Sequence, residues 1–154
     1  METESLKNSP AANGRPPQGL KIVLVEDDDG HAILIQRSLS PLPPENQIVR
    51  VSDGQQAVDY FFDSHEESEP TVVFLDLNLP VLDGYQVLQR LKANDKTRKI
   101  PVVIISTTDD TREMERCYDL GANAYISKPL EFKLFTHTIR SLGEFLSVVT
   151  IPAA

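Results

Sequence analysis

The sequence predicts an α/β domain with a doubly wound, five-stranded parallel sheet flanked by five helices. Two observations carry this prediction. Short apolar runs typical of buried strands alternate with segments whose apolar residues recur every three or four positions, and turn or capping residues separate the two kinds of segment. Five such strand–helix units follow one another, and helices between parallel strands bury both faces of the sheet.

The first two units each begin with a short strand. The run from Leu20 to Val25 predicts the first strand, and the helix after it takes Asp28 or Asp29 as its N-cap and ends at the segment SPLPP, 40–44. Gln47 to Val51 predicts the second strand. The second helix is expected to bury one side, formed by Ala57, Val58, Phe61 and Phe62.

The third unit contains the stretch VVFLDLNLPVLDG, residues 72–84. Its apolar run breaks abruptly at Asp76, as expected of a buried parallel strand that delivers one carboxylate to its carboxyl end. Pro80 excludes a continuing central strand, and Asp83 with Gln86 has the spacing of a helix N-cap. Asp76 is therefore expected at a strand end, on a short loop that leads into a helix.

The last two units end in polar residues of a different kind. The apolar run at 102–105 predicts a fourth strand that ends at Ser106, and its helix is bounded by Asp110 and Gly121. The fifth strand, Ala124 to Ser127, ends at Lys128. The last helix is strongly amphipathic, with apolar residues at steps of three and four: Phe132, Phe135, Ile139, Leu142 and Leu146.

Carboxylates follow the first and the third strand. EDDD, residues 26–29, comes directly after the first strand, and Asp76 after the third. A strand-terminal Asp can simply cap a turn, but two neighbouring parallel strands ending in acids gather several negative charges at one edge of the sheet. At about 5 Å and an effective dielectric near 20, each pair would repel by about 3 kcal/mol. A hard divalent cation with oxygen ligands would offset that repulsion.

The same edge of the sheet is expected to receive Ser106 and Lys128, where open α/β sheets bind ligands. Together the four strand ends supply what a phosphoryl-transfer site requires. These are a carboxylate nucleophile, acidic ligands for a cation, a hydroxyl group and an ammonium group that can pair with phosphoryl oxygens.

Composition limits the classes of function. The chain has 154 residues, 40% of them hydrophobic, which is enough for one domain with a single core. A net charge of −8 argues against nucleic acid or an anionic membrane surface as a partner. With no secretory signal and no apolar run long enough to span a membrane, a cytoplasmic protein is expected. The lone Cys117 excludes an internal disulfide and is expected in the core.

Four motifs, in order and at their spacing, resemble the receiver domain of two-component response regulators. They are EDDD after the first strand, FLDLNLPVLDG around the third, IPVVIIST at the fourth and GANAYISKP at the fifth. The resemblance runs from about Leu20 to Leu146. It implies a flavodoxin-like receiver fold and a signalling protein that accepts a phosphoryl group from a histidine kinase in a Mg²⁺-dependent reaction. Such a protein catalyses only its own phosphoryl transfer and dephosphorylation.

The resemblance also assigns roles around the acceptor. By it, Asp76 is the phosphoacceptor, and Glu26 and Asp27 form an acidic pocket. Asp27 is then a direct Mg²⁺ ligand, while Glu26 acts through water. Asn78 supplies its main-chain carbonyl to the metal, and Lys128 binds the phosphoryl group.

Further roles implied by the resemblance concern the conformational switch. Ser106 matches the switch hydroxyl, Tyr125 matches the aromatic switch residue, and the peptide between Lys128 and Pro129 is commonly cis in the family. Other interpretations stay open, since Ser106 could simply bond to a neighbouring turn and Tyr125 could be a core residue. Thr107 stands where the family usually has Ala or Gly, and its extra bulk is expected to slow reaction with small phosphodonors.

Histidines contribute no predicted site. His31, His65 and His137 share no metal-ligand spacing, so surface or edge positions are expected for all three.

The two ends of the chain are expected to lie outside the receiver domain. Residues 1–19 are interpreted as a disordered leader, 20–146 as the receiver and 147–154 as a C-terminal arm. Too few residues follow Lys128 for an effector domain, so a single-domain response regulator is expected. The β-branched arm and the motif details are similar to small receivers that partner phytochrome-type histidine kinases. They imply a homodimer through the helix 4, strand 5 and helix 5 face together with the arm.

Rival functions fit the motifs less well. A haloacid-dehalogenase-like phosphatase needs a second Asp two residues after its nucleophile, where this chain has Asn78. A dinucleotide-binding protein needs a Gly-rich turn after the first strand, where this chain is acidic. The serious alternative is a receiver-like binding module that never needs phosphorylation.

Overall fold

A computed structural model describes residues 19–39, 46–64, 69–128 and 131–146. Residues 1–18 of the expected leader, the SPLPP segment, His65, Pro129 and the C-terminal arm lie outside the described residues. Five strands are described in chain order: β1 Lys21–Val25, β2 Gln47–Val51, β3 Thr71–Leu75, β4 Val102–Ser106 and β5 Ala124–Ser127. Five helices alternate with them: α1 Asp29–Ser38, α2 Gly54–Asp59, α3 Gly84–Ala93, α4 Thr111–Asp119 and α5 Phe132–Leu146.

All neighbouring strands pair in parallel, and their spatial order is β2-β1-β3-β4-β5. The predicted doubly wound fold is therefore confirmed. Because β1 and β3 are adjacent and in register, with Val25 opposite Leu75, the residues that follow them emerge side by side. Ser106 lies opposite Ser127, so the ends of β4 and β5 coincide as well.

The core consists of two apolar layers, one on each face of the sheet. Alternate strand residues supply each layer because successive side chains point to opposite faces. One layer packs β-strand residues such as Phe74 against α1 and α5 through Ile35 and Ile139. The other packs Leu75 against the remaining helices, with Leu88 among its members. Cys117 belongs to this second layer and is fully buried, as expected, and burial raises the pKa of its thiol to about 11.

Three of the predicted helix starts have capping side chains. Asp28, one of the two candidates, accepts a hydrogen bond from the His31 amide at 2.8 Å and begins α1. Asp83 and Gln86 form the reciprocal capping box at the start of α3, with bonds of 2.9 and 3.0 Å. Asp110 caps α4. These caps fix the directions in which the chain leaves the carboxyl ends of β1, β3 and β4.

The expectation for Phe62 is wrong. The helix that begins as α2 continues as a π-helical turn, Tyr60–Ser64, and the side chain of Phe62 is 40% exposed. A wider turn rotates each following residue away from its α-helical position. Ala57, Val58 and Phe61 are buried as expected, but Phe62 turns outward.

The segment between Asp76 and α3 is fixed by close main-chain contacts. A Cβ added to Gly84 would lie 2.4 Å from the Asp76 carbonyl oxygen, and one added to Gly54 would lie 1.9 Å from that of Leu82. Only glycine permits these approaches. Within the segment, Val81 has a φ of 71° and is 74% exposed. No helix among the described residues is long and apolar enough to cross a membrane.

Candidate functional site

The carboxyl ends of β1 and β3 place two acidic residues side by side. The sheet hydrogen bonding continues one residue past each strand, because the Glu26 amide donates to Val51 O at 3.1 Å and the Asp76 amide donates to Val25 O at 3.0 Å. Both main chains are therefore held by the sheet. Glu26 is 1% exposed and Asp76 is 6% exposed.

Lys128, which follows β5, reaches across to both carboxylates. Its Nζ lies 2.5 Å from Glu26 Oε1 and 3.3 Å from Asp76 Oδ2. The lysine is itself buried, at 7% exposure. A buried ammonium is stable when charged partners surround it, and here the partners come from strands that are far apart in the sequence. The predicted juxtaposition of Asp76, Glu26 and Lys128 is thus present in the structure.

The second oxygen of each carboxylate is held by the main chain. Glu26 Oε2 accepts a hydrogen bond from the Asp28 amide at 3.2 Å, and Asp76 Oδ1 accepts one from the Asn78 amide at 3.1 Å. Each carboxylate is therefore oriented from both sides, with one oxygen toward Lys128 and the other toward its own loop. The main chain of Asn78 therefore lies beside the Asp76 carboxylate, and its role as a metal ligand stays a prediction.

Asp27 completes a cluster of three acids. One carboxylate oxygen each from Glu26, Asp27 and Asp76 lies within 4.8 Å of the others, and Asp27 is the exposed member. Three carboxylates with one ammonium leave excess negative charge at this edge. Oxygen ligands of this type and spacing suit a hard divalent cation, so the acidic cluster fits divalent metal binding.

Burial and the neighbouring acid change the protonation of Glu26. Desolvation, together with the hydrogen bond and charge of Asp76, raises the pKa of Glu26 to about 7, although Lys128 acts in the opposite direction. Without a cation the folded protein therefore holds a proton on Glu26 more readily than the unfolded chain does. A closed pocket with excess negative charge raises the pKa of a carboxyl group in this way.

Ser106 and Tyr125 are connected to the site through the loop that follows β4. Ser106 is fully buried, its Oγ accepts a hydrogen bond from the Thr108 amide at 3.3 Å, and its carbonyl accepts one from the Lys128 amide. Tyr125 is half-buried and donates its hydroxyl to Thr108 O at 2.8 Å. Burial raises the pKa of Tyr125. Thr107 is exposed at the same loop. The switch roles of Ser106 and Tyr125 stay predictions.

Sequence reasoning missed two residues of the site. Arg50, in β2, donates to Glu26 O at 2.8 and 3.1 Å and to Asp29 Oδ1 at 2.7 Å, so it holds the acidic loop in place. A lone arginine in a short strand gave no signal of this. His31, expected at a surface or edge position, is half-exposed, and its Nδ1 lies 3.2 Å from Lys128 Nζ.

A comparison with protein families identifies the family to which this fold belongs. The family model of the response regulator receiver domain matches residues 22–140. This chain belongs to the receiver-domain family of response regulators.

Three relatives of this receiver span nearly its whole length. A receiver domain from Rhodospirillum rubrum is 44% identical, with a TM-score of 0.81, over 87% of this chain and 98% of its own. The phosphorylated cyanobacterial phytochrome response regulator RcpA is 36% identical, with a TM-score of 0.81, over 87% and 99%. Response regulator Rcp1 of Synechocystis is 31% identical over 86% of this chain and 93% of its own. The structure of Mn²⁺-bound Rcp1 matches with a TM-score of 0.79, over 89% of this chain and 100% of the Rcp1 chain.

These relatives support the subfamily interpretation from the sequence. The receiver described here is similar to RcpA, whose name connects it with a cyanobacterial phytochrome, and to Rcp1, and it covers almost all of each. It is a receiver of this phytochrome-associated type.

Proposed function

We propose that this protein is a response regulator that accepts a phosphoryl group on Asp76 from a sensor histidine kinase, in a Mg²⁺-dependent reaction, and thereby switches a protein-interaction surface. The observation that carries the proposal is the position of Lys128, whose ammonium contacts both Asp76 and Glu26 inside a buried acidic pocket. Nothing in the packing of an α/β core requires a buried lysine at this edge of the sheet.

Asp76 is the acceptor that the geometry favours. Its Oδ2 faces the Lys128 ammonium and its Oδ1 is fixed by the Asn78 amide. A carboxylate oxygen of Asp76 attacks the phosphorus of a phosphohistidine, the P–N bond breaks, and the departing imidazole takes up a proton. The product is an acyl phosphate. Glu26 is less suited to attack because its raised pKa keeps it protonated more of the time.

Lys128 pairs with an oxygen of the transferring phosphoryl group as a compact positive charge. This pairing requires little movement, since the ammonium already lies 3.3 Å from Asp76 Oδ2. Ser106 donates its hydroxyl to another oxygen in the proposed product. The exposed Thr107 stands next to Ser106 and is proposed to restrict access for small phosphodonors.

The acidic cluster is proposed to hold Mg²⁺. Asp27 and Asp76 would be direct ligands together with the main-chain carbonyl of Asn78, and Glu26 would act through water. Bound there, the ion would neutralise negative charge that builds up on the phosphoryl group during transfer. The support is the three carboxylate oxygens within 4.8 Å of one another and the Mn²⁺-bound form of the relative Rcp1.

The surface proposed to change comprises α4, β5 and α5. β5 is an edge strand of the sheet, and apolar side chains are exposed on both helices beside it: Tyr118 at 50%, Leu134 at 51% and Phe145 at 59%. Exposed apolar groups of this size mark interaction surfaces. We propose that a second copy of the chain covers them, with help from residues 147–154. Sedimentation of a chain that ends at Leu146 tests the arm, because an unchanged mass at all concentrations would remove it from the proposal.

The upstream partner is proposed to be a histidine kinase of the phytochrome type. The proposal is supported by similarity to RcpA and Rcp1, which are both named as response regulators. The name of RcpA also connects it with a cyanobacterial phytochrome. A phosphorylated bacteriophytochrome kinase that labels this receiver faster than unrelated kinases do would support the assignment.

The central test is labelling with phosphoramidate, a small donor whose reactive bond is P–N like that of phosphohistidine. We expect the intact mass of the wild-type chain to increase by one phosphoryl group in the presence of Mg²⁺, and not in excess EDTA. Asp76→Asn should abolish the increase. Asp95→Asn, an exposed aspartate after α3, serves as the matched control and should leave labelling intact. If the wild-type chain and a Thr107→Ala variant, which opens access to the site, both stay unlabelled, the phosphorylation-independent binding module is favoured.

A further inference from the structure

His31 lies at the proposed phosphoryl-transfer site, although its sequence context indicated no functional role. It stands in the first turn of α1, and its Nδ1 is 3.2 Å from Lys128 Nζ. The ring also packs edge-on against Phe135 of α5, with centroids 6.2 Å apart and an angle of 65° between the planes. The imidazole is therefore held between the first turns of two helices, with one nitrogen directed at the lysine.

The chemistry of the contact defines the form of the ring. An ammonium group only donates hydrogen bonds, so Nδ1 must present its lone pair, and the neutral ring then carries its proton on Nε2. Lys128 has three N–H groups and three acceptors within 3.3 Å: Glu26 Oε1, Asp76 Oδ2 and His31 Nδ1. The three contacts match the three donors, so the ammonium has a defined place and orientation.

We propose that His31 is a positioning residue for phosphoryl transfer, which keeps the Lys128 ammonium directed at Asp76. The inference rests on the proposed function of Asp76. Two of the three acceptors are carboxylates that belong to the acidic cluster, and their charge would be shared with a bound cation. His31 lies outside that cluster. Its hydrogen bond to Lys128 is therefore the contact that persists when the carboxylates are engaged elsewhere.

A first test needs neither metal nor phosphodonor. Long-range ¹H–¹⁵N correlation spectra of the metal-free chain report which ring nitrogen carries the proton. We expect His31 to show a proton on Nε2 and an Nδ1 resonance displaced toward the hydrogen-bonded range relative to the exposed His137. Lys128→Met should remove the displacement at His31 and leave His137 unchanged. A proton on His31 Nδ1, or a spectrum indifferent to Lys128→Met, would overturn the inference.

A second test measures the phosphorylation rate of Asp76 with phosphoramidate and Mg²⁺. His31→Leu should slow the reaction about tenfold, on the scale of one hydrogen bond to a charged group. His31→Asn places an oxygen near the position of Nδ1 and should restore most of the rate. His137→Leu, an exposed histidine on α5, is the matched control and should have no effect. Rescue by Asn is the part of the result that a merely structural role of the ring would not produce.

A double-variant cycle identifies the residue through which His31 acts. In a Lys128→Met background, His31→Leu should cause no further loss of rate, because the acceptor has no donor left to position. Additive losses, or an unchanged rate in His31→Leu alone while the wild-type chain is labelled, would overturn the role of His31 only. A wild-type chain that takes up no phosphoryl group would overturn the proposed function, and the role of His31 with it.

Discussion

Two lysines in this receiver are held by different kinds of acceptor at opposite edges of the sheet. At the carboxyl edge, Lys128 contacts two carboxylates and one imidazole. At the amino edge, Lys92 donates to Arg98 O at 3.0 Å, to Ile100 O at 2.7 Å and to Asn123 Oδ1 at 3.3 Å. The acceptors of Lys92 are neutral, and burial lowers its pKa because no carboxylate compensates the loss of water.

The difference predicts a structural role for Lys92 and a chemical role for Lys128. Carbonyl oxygens of Arg98 and Ile100 belong to the backbone and stay where the fold places them, so Lys92 fastens the end of α3 to the start of β4. The carboxylates that hold Lys128 can instead give up part of their charge to a proton, a cation or a phosphoryl group. We therefore expect substitutions at the carboxyl edge to change reactivity and substitutions at the amino edge to change stability.

The largest expected effect is that of Lys128→Met. Loss of the ammonium removes a preorganised charge from the transferring phosphoryl group, so the rate of Asp76 labelling should fall by about 100-fold or more. The measurement is the time course of intact mass with phosphoramidate. Lys133→Met, an exposed lysine in α5, is the control. Labelling of Lys128→Met at the wild-type rate would contradict the contrast between the two edges.

The second prediction concerns the pH dependence of stability without metal. The pKa of Glu26 is about 7 when folded, against 4.5 for the free side chain, so between these values the folded state binds a proton that the unfolded chain releases. The free energy of unfolding should therefore fall as pH rises from about 4.5 to about 7, by about 3 kcal/mol for this group. Urea unfolding in EDTA across this range measures it.

Glu26→Gln provides the comparison for that experiment. The amide does not titrate, so the variant should lose this part of the slope and be more stable than the wild type at pH 8. Added Mg²⁺ should stabilise the wild type most at high pH, where Glu26 is ionised, and should do less for the variant. Parallel pH profiles for the two proteins would contradict the raised pKa.

The third prediction applies to the amino edge. Lys92→Met keeps the apolar stem but leaves the oxygens of Ile100 and Asn123 without their ammonium donor, so the free energy of unfolding should fall by about 1–3 kcal/mol. The phosphorylation rate of Asp76 should be unchanged. Chemical denaturation and phosphoramidate labelling of the same sample measure both. Lys99→Met is the exposed control. A large loss of labelling rate in Lys92→Met would show that the two edges are coupled.

The smallest effect is expected at Val81, beside the pocket. A β-branched residue with a φ of 71° is strained, whereas Asn tolerates this conformation. Val81→Asn should raise the free energy of unfolding by about 0.5–1 kcal/mol. Val81→Thr is β-branched as well and should give no gain. Equal stabilities of the Asn and Thr variants would show that the strain is not stored at this residue.

The sequence was sufficient to predict the fold and the central residues of the site for one physical reason. Parallel strands bring their carboxyl ends to one edge of the sheet. The residues that end or follow these strands therefore lie close together when the strands are neighbours: Glu26, Asp76, Ser106 and Lys128. Burial of every residue of β1, β3 and β4 followed from the same apolar runs.

Other features depended on contacts that no local pattern contains. His31 reaches Lys128 because α1 and α5 pack together, which brings its ring against Phe135. From the sequence alone, Arg50 is an ordinary polar residue in a strand. Its contacts with the acidic loop follow only from the pairing of β2 with β1. Phe62 was misplaced because a change from α-helical to π-helical geometry leaves no mark on apolar spacing.

The two glycine contacts around the segment after β3 bear on how receivers of this type can be engineered. Gly54 and Gly84 let the starts of α2 and α3 rest on the main chain of Leu82 and Asp76, and main-chain atoms are the same in every residue type. These two contacts therefore depend on the number of residues in segment 78–82 and not on their side chains, while Leu79 and Leu82 also pack against the core. A chimera that imports a loop of equal length should retain its pocket, whereas insertion of a single residue would separate Asp76 from the helix that supports it.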